Sequence, residues 1–253
     1  MFEVPADAYD RFMGRFSACL ASPMADLAGV QAGQRVLDVG CGPGALTGEL
    51  VRRLGVAAVS AVDPSTSFVA AVRARYPGVD VRQASVEALP FEDDTFDVSL
   101  AQLVVHFLAD PVTGLAEMAR VTRTGGVVAA CVWDHAGGRG PLGLFWEVAR
   151  ELDPEVIDEA DLPGAREGHL VELFEAAGLQ DVRGASMDAD LDFPDFATWW
   201  APFALAAGPA GVYVAGLDLD RRGRLESGLR ARLPGGRFTI PARAWAVRGT
   251  VRR

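Results

Sequence analysis

Three glycines, Gly40, Gly42 and Gly44, separate an apolar run at residues 35–39 from a helical pattern at residues 45–54. Glycine is required where the backbone becomes left-handed, or approaches a ligand so closely that a Cβ would clash. The helix that follows offers unpaired N–H groups and the positive end of its dipole. The spacing also satisfies the looser G-x-G-x-x-G/A pattern of dinucleotide-binding enzymes. Taken alone, it predicts either a tight strand–helix turn or a cofactor loop.

Apolar runs and helical patterns alternate from residue 34 to residue 132. Strands separated by helices form βαβ units with right-handed crossovers, and hence a parallel sheet. A chain of 253 residues, half of them hydrophobic, is long enough for one α/β domain with a modest insertion. The pattern predicts strands over residues 35–39, 57–62, 79–82, 96–101 and 126–133, and helices over residues 45–54, 65–76 and 112–124.

The second half of the chain lacks the regular alternation of strand and helix patterns. The pattern predicts a loop over residues 136–143, a helix over 166–177 that ends at Gly178, strands over 182–191 and 238–251, and a charged helix over 218–233. An aromatic segment at residues 194–217 interrupts two strands, so we expect a cap insertion there. We predict a single domain, 1–253, with N-terminal lid helices at 1–32, a cofactor-binding core at 33–135, cap insertions at 136–165 and 192–233, and the remaining sheet at 166–191 and 234–253.

Charge and composition argue against several function classes. A net charge of −10 repels polyanions, so we expect no nucleic-acid partner. The absence of lysine excludes Schiff-base chemistry and the phosphate-binding lysine of a P-loop. The three cysteines and three histidines have neither disulfide nor metal-site spacing, so no metal is expected. No signal peptide or membrane span is predicted, and a cytoplasmic protein without a membrane partner is expected.

Two acids near the glycine loop favour its interpretation as a cofactor loop. Asp38 lies in the strand just before the loop, where its carboxylate can accept from a ligand ammonium group directly or through water. Asp63 ends the second predicted strand, at the position that holds a ribose with two free hydroxyls. An alternative role for Asp63 is to cap the helix that begins at Ser65.

The segments VLDVGCGPG, AVDPS and ASVEALPF, followed by DTFD, resemble class I S-adenosylmethionine-dependent methyltransferases of the type 11, ubiquinone/menaquinone-methyltransferase-like group. The resemblance covers about residues 8–133, with the motifs in the family's order and spacing. It implies a Rossmann-like fold: a seven-stranded, mostly parallel sheet of order 3-2-1-4-5-7-6 with an antiparallel strand 7, helices on both faces and a small aromatic cap.

The resemblance also implies the cofactor contacts. The methionine portion of S-adenosyl-L-methionine is expected at Asp38 and at the loop residues Gly40, Cys41, Gly42 and Gly44. The ribose is expected at Asp63 with Pro64 beside it, and a backbone carbonyl of Ala101 or Gln102 is expected near the cofactor amine. The family usually has Asp where this chain has Ser85, so adenine binding should rest more on the N–H of Val86 and on apolar walls.

A general base is needed only if the acceptor must lose a proton. His106 is the first candidate, because the resemblance places it on the pocket side of strand four; the alternative is a partly buried histidine with no catalytic role. Asp134 and His135 follow strand five at the ligand-binding edge of the sheet and are weaker candidates. His169 is expected to be exposed.

The N-terminal segment around Tyr9, Arg11 and Arg15 resembles the lid helix of related enzymes. Tyr9 and Arg15 could close on the cofactor, with Arg15 facing its carboxylate; alternatively, the helix only packs Phe12 and Phe16 on the core. The aromatic side chains of the cap could form a wall for an apolar acceptor, cap core or a dimer patch; they are Phe196, Trp199, Trp200 and Phe203.

These observations predict a methyltransferase that acts on a small molecule by in-line transfer. A nicotinamide-dependent oxidoreductase, a non-catalytic S-adenosylmethionine-binding protein and an enzyme of the same fold with other chemistry, such as cyclisation, stay open as alternatives. The acceptor atom and a homodimeric state are also left open.

Overall fold

Seven strands form one sheet of order β3-β2-β1-β4-β5-β7-β6, and this order confirms the predicted fold. The computed structural model describes residues 10–205 and 208–252. Strand β7 runs antiparallel to both of its neighbours, whereas the pairs among the first five strands are parallel. The strands are β1 (Val36–Val39), β2 (Val59–Asp63), β3 (Asp80–Gln83), β4 (Phe96–Gln102), β5 (Thr122–Trp133), β6 (Gln180–Phe193) and β7 (Phe238–Thr250).

Helices cover both faces of this sheet. The described α-helices are α1 (Arg15–Ala28), α2 (Ala45–Leu54), α3 (Thr66–Arg75), α4 (Pro111–Val121), α5 (Gly143–Leu152), α6 (His169–Ala176), α7 (Phe196–Trp200), α8 (Gly208–Gly216) and α9 (Leu219–Arg232). A π-helical turn, Asp10–Gly14, precedes α1, and short 3₁₀ turns cover Val56–Ala58, Val105–Phe107 and Ala201–Leu205.

The central strand β1 is buried along its whole length, which explains its uninterrupted apolar character. Successive side chains point to opposite faces of the sheet. Val36 therefore belongs to one hydrophobic core and Leu37 to the other. The glycine loop (residues 40–44) leaves β1 at its carboxyl end, where the strands of an open parallel sheet present their ligands.

The helix predicted over residues 112–124 is too long, since α4 ends at Val121 and β5 begins at Thr122. At this junction the Thr122 hydroxyl donates to the Met118 carbonyl at 2.7 Å and also bonds Ser99 in β4 at 2.7 Å. Its pairing with Phe96 then starts the strand four residues earlier than predicted.

Helix α5 lies in a segment for which the sequence analysis predicted no helix. The glycine-rich stretch before it suggested a loop through residue 143, but Gly143 is already helical. Phe145 and Ala149 lie on its buried side, and Phe145 stacks on Phe203 with ring centroids 4.8 Å apart. The two predicted cap insertions therefore pack against each other.

No α-helix in the described part of the chain is long and apolar enough to cross a membrane. Cys19, Cys41 and Cys131 are unpaired.

Candidate functional site

All three glycines of the loop have positive φ angles: 67° at Gly40, 52° at Gly42 and 100° at Gly44. L-residues other than glycine rarely adopt such conformations. A Cβ on Gly40 would also lie 2.5 Å from Cγ2 of Val104, whereas a Cβ on Gly42 would have open space around it. Gly42 thus exposes bare backbone at the turn, as a cradle for a ligand requires.

Asp63 ties the loop to the end of β2. Its Oδ2 accepts a hydrogen bond from the Gly42 N–H at 2.9 Å, and its Oδ1 accepts one from the Ser65 N–H at 2.8 Å. The suggested capping role is wrong, because the cap of α3 is Ser65, whose hydroxyl accepts from the Phe68 N–H. Burial raises the pKa of Asp63. Each of its oxygens keeps a further lone pair for a ligand hydroxyl.

Asp38 is anchored to α2 beneath the loop. Its Oδ2 accepts from the Thr47 hydroxyl at 2.5 Å, and the residue is 1% exposed. Burial raises the pKa of Asp38 to about 7, against the opposing effect of the Thr47 hydrogen bond. A nearby ammonium group would favour the ionised form and relieve this cost. Thr47 was not predicted as a site residue, because it contacts Asp38 only after α2 packs against β1.

Gln102 brings an unpaired acceptor to the same edge of the sheet. In the β1–β4 register Asp38 lies beside Leu100, and continuing this register places Gly40 level with Gln102. The Gln102 Nε2 donates to the Ser17 carbonyl at 2.9 Å, while its buried Oε1 has no partner among residues 10–205 and 208–252. The side chain of Gln102 is therefore a candidate contact in addition to the backbone carbonyls of Ala101 and Gln102 predicted above.

Two polar side chains meet at the predicted adenine end. Ser85 is exposed and its hydroxyl donates to the carboxylate of Glu87. The N–H of Glu87 points back to the Ser85 oxygen at 3.4 Å, and the side chain of Val86 packs in the core. Glu87 thus places a carboxylate beside the serine, which the sequence pattern did not predict.

Arg15 does not face the glycine loop, which corrects the prediction made for it. Its guanidinium donates to the Asp192 carbonyl at 3.1 Å and lies 4.9 Å from the ring centroid of Phe193, at the end of β6. Strand β6 is four strands from β1, roughly 19 Å at the usual strand spacing. Phe12 and Phe16 are buried, as the packing alternative predicted. Tyr9 lies outside the described residues.

The candidate histidines lie in two different environments, since His106 and His135 line one cavity and His169 does not line it. His106 is 4% exposed in the 3₁₀ turn after β4 and lines a cavity together with His135. Asp134 is a loop anchor, because its two oxygens accept from the Gly137 N–H and from Nε of Arg139. His169 is half-buried rather than exposed, and its Nδ1 accepts from the Gly164 N–H at 3.2 Å.

The aromatic side chains of the cap form its core. Phe203 is 1% exposed and contacts Phe12, Phe145 and both cap tryptophans. None of the four aromatic side chains lines the cavity beside His106, and their burial supports the cap-core alternative. Their burial also rules out a dimer patch.

The sequence of this region is similar to those of known methyltransferases. Residues 37–130 match a family described as a methyltransferase domain. The chain is 33% identical over 161 residues to a malonyl-[acyl-carrier protein] O-methyltransferase of Erwinia billingiae, which covers 61% of this chain and 63% of that protein. It is 38% identical over 104 residues to a ubiquinone/menaquinone biosynthesis C-methyltransferase of Bdellovibrio bacteriovorus, covering 40% and 44%. The chain thus spans about half the length of these curated relatives.

A solved structure shares the fold across almost the whole chain. The phosphoethanolamine N-methyltransferase 2 of Haemonchus contortus, solved in complex with S-adenosyl-L-methionine, superposes with a TM-score of 0.59 at 15% identity. The match covers 98% of this chain and 57% of that one.

Proposed function

We propose that this chain, which carries a methyltransferase domain at residues 37–130 within the class I methyltransferase fold, binds S-adenosylmethionine and transfers its methyl group to a small-molecule acceptor. The family resemblance predicted from the motifs is confirmed by the domain match and the strand order. A single observation carries the proposal: two buried acids flank the open glycine loop, Asp38 just before the end of β1 and Asp63 at the end of the neighbouring strand β2, where it accepts from the Gly42 N–H.

The residues of this edge suit the chemical groups of the cofactor. Asp38 is a buried acid that a cationic amine would stabilise, and the unpaired Oε1 of Gln102 supplies another acceptor. Asp63 is held by two backbone N–H groups with lone pairs left for ribose hydroxyls. Glu87 and Ser85 place polar groups where the adenine amino group is expected.

When bound, S-adenosylmethionine supplies a methyl group already activated on a sulfonium. The work left to the protein is to align the acceptor, exclude water and accept a proton where the acceptor carries one. Two buried imidazoles, those of His106 and His135, are the candidates for proton transfer.

A small-molecule acceptor is favoured over a nucleic acid by the net charge of −10. The apolar lining of the cavity beside His106 agrees with an apolar or aromatic acceptor. The two curated relatives are named for methylation of oxygen and of carbon, so their names do not select the acceptor atom.

Calorimetric titration with S-adenosylhomocysteine and, separately, with NAD tests the cofactor. We expect micromolar binding of the first and no binding of the second. Gly42→Ala should weaken S-adenosylhomocysteine binding at least tenfold. Gly33→Ala is the matched control, since Gly33 also has a positive φ of 89° and open space around it but lies in the turn before β1. Micromolar NAD binding without a response to S-adenosylhomocysteine would overturn the proposal in favour of an oxidoreductase.

A further inference from the structure

A cavity of about 40 Å³ lies beyond the carboxyl ends of β4 and β5. Three polar side chains line it: His106, His135 and Glu159. The described lining contains no arginine, and the chain has no lysine. The remaining walls are largely apolar, and include Phe12, Leu103, Phe107, Trp133 and Leu142.

Two imidazole nitrogens at this cavity have no hydrogen-bond partner within the described part of the chain: Nδ1 of His106 and Nε2 of His135. Both side chains are 4% exposed, and their ring centroids are 5.7 Å apart. Buried polar atoms nearly always have a partner, because leaving one unpaired is costly. Because both residues line one cavity, the two unpaired nitrogens indicate a polar ligand group in that cavity.

Glu159 lies beside His135 on the side away from the unpaired nitrogen. Its Oε2 accepts from Nε1 of Trp146 at 3.0 Å and is 3.9 Å from Nδ1 of His135. This separation is longer than a hydrogen bond, so Glu159 acts on His135 through its charge, which favours a proton on Nδ1 and leaves Nε2 as the acceptor. Glu159 had no signal in the sequence, because it stands in a polar loop far along the chain from both histidines.

The charges around this pair come from several elements. Burial raises the pKa of Glu159 to about 7; the Trp146 hydrogen bond opposes this effect and Asp158 adds to it. Burial lowers the pKa of His135 to about 4, against the opposing effects of Asp134 and Asp158.

Both neighbouring acids have arginine partners, since Asp158 pairs with Arg150 and Asp134 with Arg139. Burial, together with His135, lowers the pKa of His106 well below its usual value. Above pH 7 the cluster therefore holds two neutral imidazoles and one carboxylate.

We propose that the acceptor presents a neutral hydroxyl to His106 and His135, and that Nε2 of His135 takes the hydroxyl proton while the charge of Glu159 keeps the other ring proton on Nδ1. This proposal rests on the proposed methyl transfer. The oxygen–hydrogen bond breaks and its proton moves to Nε2. The oxygen bonds to the methyl carbon, and the carbon–sulfur bond breaks with its electron pair left on sulfur. His106 donates from Nδ1 to the hydroxyl oxygen. Glu159 is a positioning residue, since it acts through His135.

A hydroxyl suits the two unpaired nitrogens better than a charged group does. It donates one hydrogen bond and accepts another, whereas an ammonium group only donates and a carboxylate only accepts. A carboxylate would also be buried beside Glu159 with no cation in the described lining. The observations thus favour an alcohol or phenol.

Histidine-selective NMR tests this acceptor class, because the chain has three histidines. Phenol, benzoate and benzylamine are titrated at pH 8 into the protein saturated with S-adenosylhomocysteine, while the ring resonances are followed. We expect millimolar phenol to shift His106 and His135 but not His169, and the two charged probes to shift none of them. An equal response to either charged probe, or no response to phenol because a bound water alone occupies the nitrogens, would overturn the proposal.

Nitrogen-15 shifts report the tautomer of His135 and test the role of Glu159. At pH 8 we expect the proton on Nδ1 in the wild type, and a shift toward the Nε2 tautomer in Glu159→Gln. Glu172→Gln is the matched control, because Glu172 is exposed on α6. If Glu159→Gln does not fold, lowering the pH of the wild type through about 7 should cause the same shift as Glu159 gains a proton. A proton on Nε2 in the wild type at pH 8 contradicts the assignment of His135 as the base.

These outcomes are distinguishable from failure of the proposed function. Loss of S-adenosylhomocysteine binding in the wild type would overturn the proposed methyltransferase itself. Normal binding of S-adenosylhomocysteine, combined with no effect of phenol on the histidines, would overturn only the hydroxyl acceptor and its base.

Discussion

The glycine loop and the cavity beside His106 belong to one edge of the sheet, yet they are built differently. The loop presents backbone groups, and its shape depends on left-handed glycines and on the hydrogen bonds of Asp63. The cavity presents side chains, which come from the N-terminal turn, the ends of β4 and β5 and the loop that carries Glu159. Substitutions at the loop should therefore act on ligand affinity, and substitutions around the cavity and cap should act first on packing.

The two regions also differ in charge. Asp38 and Asp63 are buried acids whose pKa values are raised by burial. Ionising them at the glycine loop costs free energy, and a cationic ligand would offset that cost. At the cavity, burial lowers the pKa values of both imidazoles and keeps them neutral. The neutral imidazoles suit a neutral reacting group, while Glu159 beside them is a buried acid whose pKa is raised like that of Asp38.

The largest effect is expected in the cap. Phe203→Ala removes a ring that is 1% exposed and should lower the free energy of unfolding by about 3–5 kcal/mol, the usual cost of such a cavity. Chemical denaturation measures it. Leu205→Ala is the matched control, because Leu205 is 44% exposed and should change stability by less than about 0.5 kcal/mol. Normal stability of the Phe203 variant would contradict the assignment of this cluster as core.

Asp38→Asn should raise the stability of the unliganded protein at pH 8 and lower its affinity for the cofactor product. The pKa of Asp38 is raised from 3.8 to about 7, so the folded state binds the extra proton and loses stability as pH rises between these values. At pH 8 the neutral variant should be more stable without ligand, by up to about 4 kcal/mol. Its affinity for S-adenosylhomocysteine should fall. Melting temperatures at pH 5 and pH 8 check the sign; a variant less stable at pH 8 would be evidence against it.

Asp63→Ala should weaken S-adenosylhomocysteine binding ten- to a hundredfold, since charge-assisted hydrogen bonds contribute about 1.5–3 kcal/mol. It also leaves the N–H groups of Gly42 and Ser65 unpaired, so a moderate loss of stability is expected. Calorimetry on the folded fraction separates the two effects. Asp80→Ala, at an exposed ion pair with Arg82, is the control. Unchanged affinity would mean that Asp63 only holds the loop.

The smallest effect is expected at the adenine end. Because Glu87 already places a carboxylate beside Ser85, Ser85→Asp should bring two like charges together and leave affinity within about threefold. In a Glu87→Gln background the same substitution should tighten binding of S-adenosylhomocysteine. A double-mutant cycle measures the coupling. Tightening by Ser85→Asp alone would show that Glu87 does not supply the charge.

The sequence patterns by themselves predicted the parallel strands and the glycine loop, whereas the strand order followed from the family resemblance. Alternating strand and helix patterns are local, and the residues of the loop are neighbours in the chain, so their conformational demands are visible without tertiary contacts. The same locality explains why Asp38 and Asp63 could be singled out, since Asp38 lies one residue before the end of β1 and Asp63 ends β2.

Tertiary structure alone decided which side chains meet. Thr47 reaches Asp38 because α2 packs back on β1, and Glu159 reaches His135 because a loop closes over β5. For Arg15 and the cap aromatics the sequence left a role at the site and a packing role open, and the tertiary contacts favour packing. Side-chain contacts between distant segments depend on how helices and loops fill space, and no local pattern carries that information.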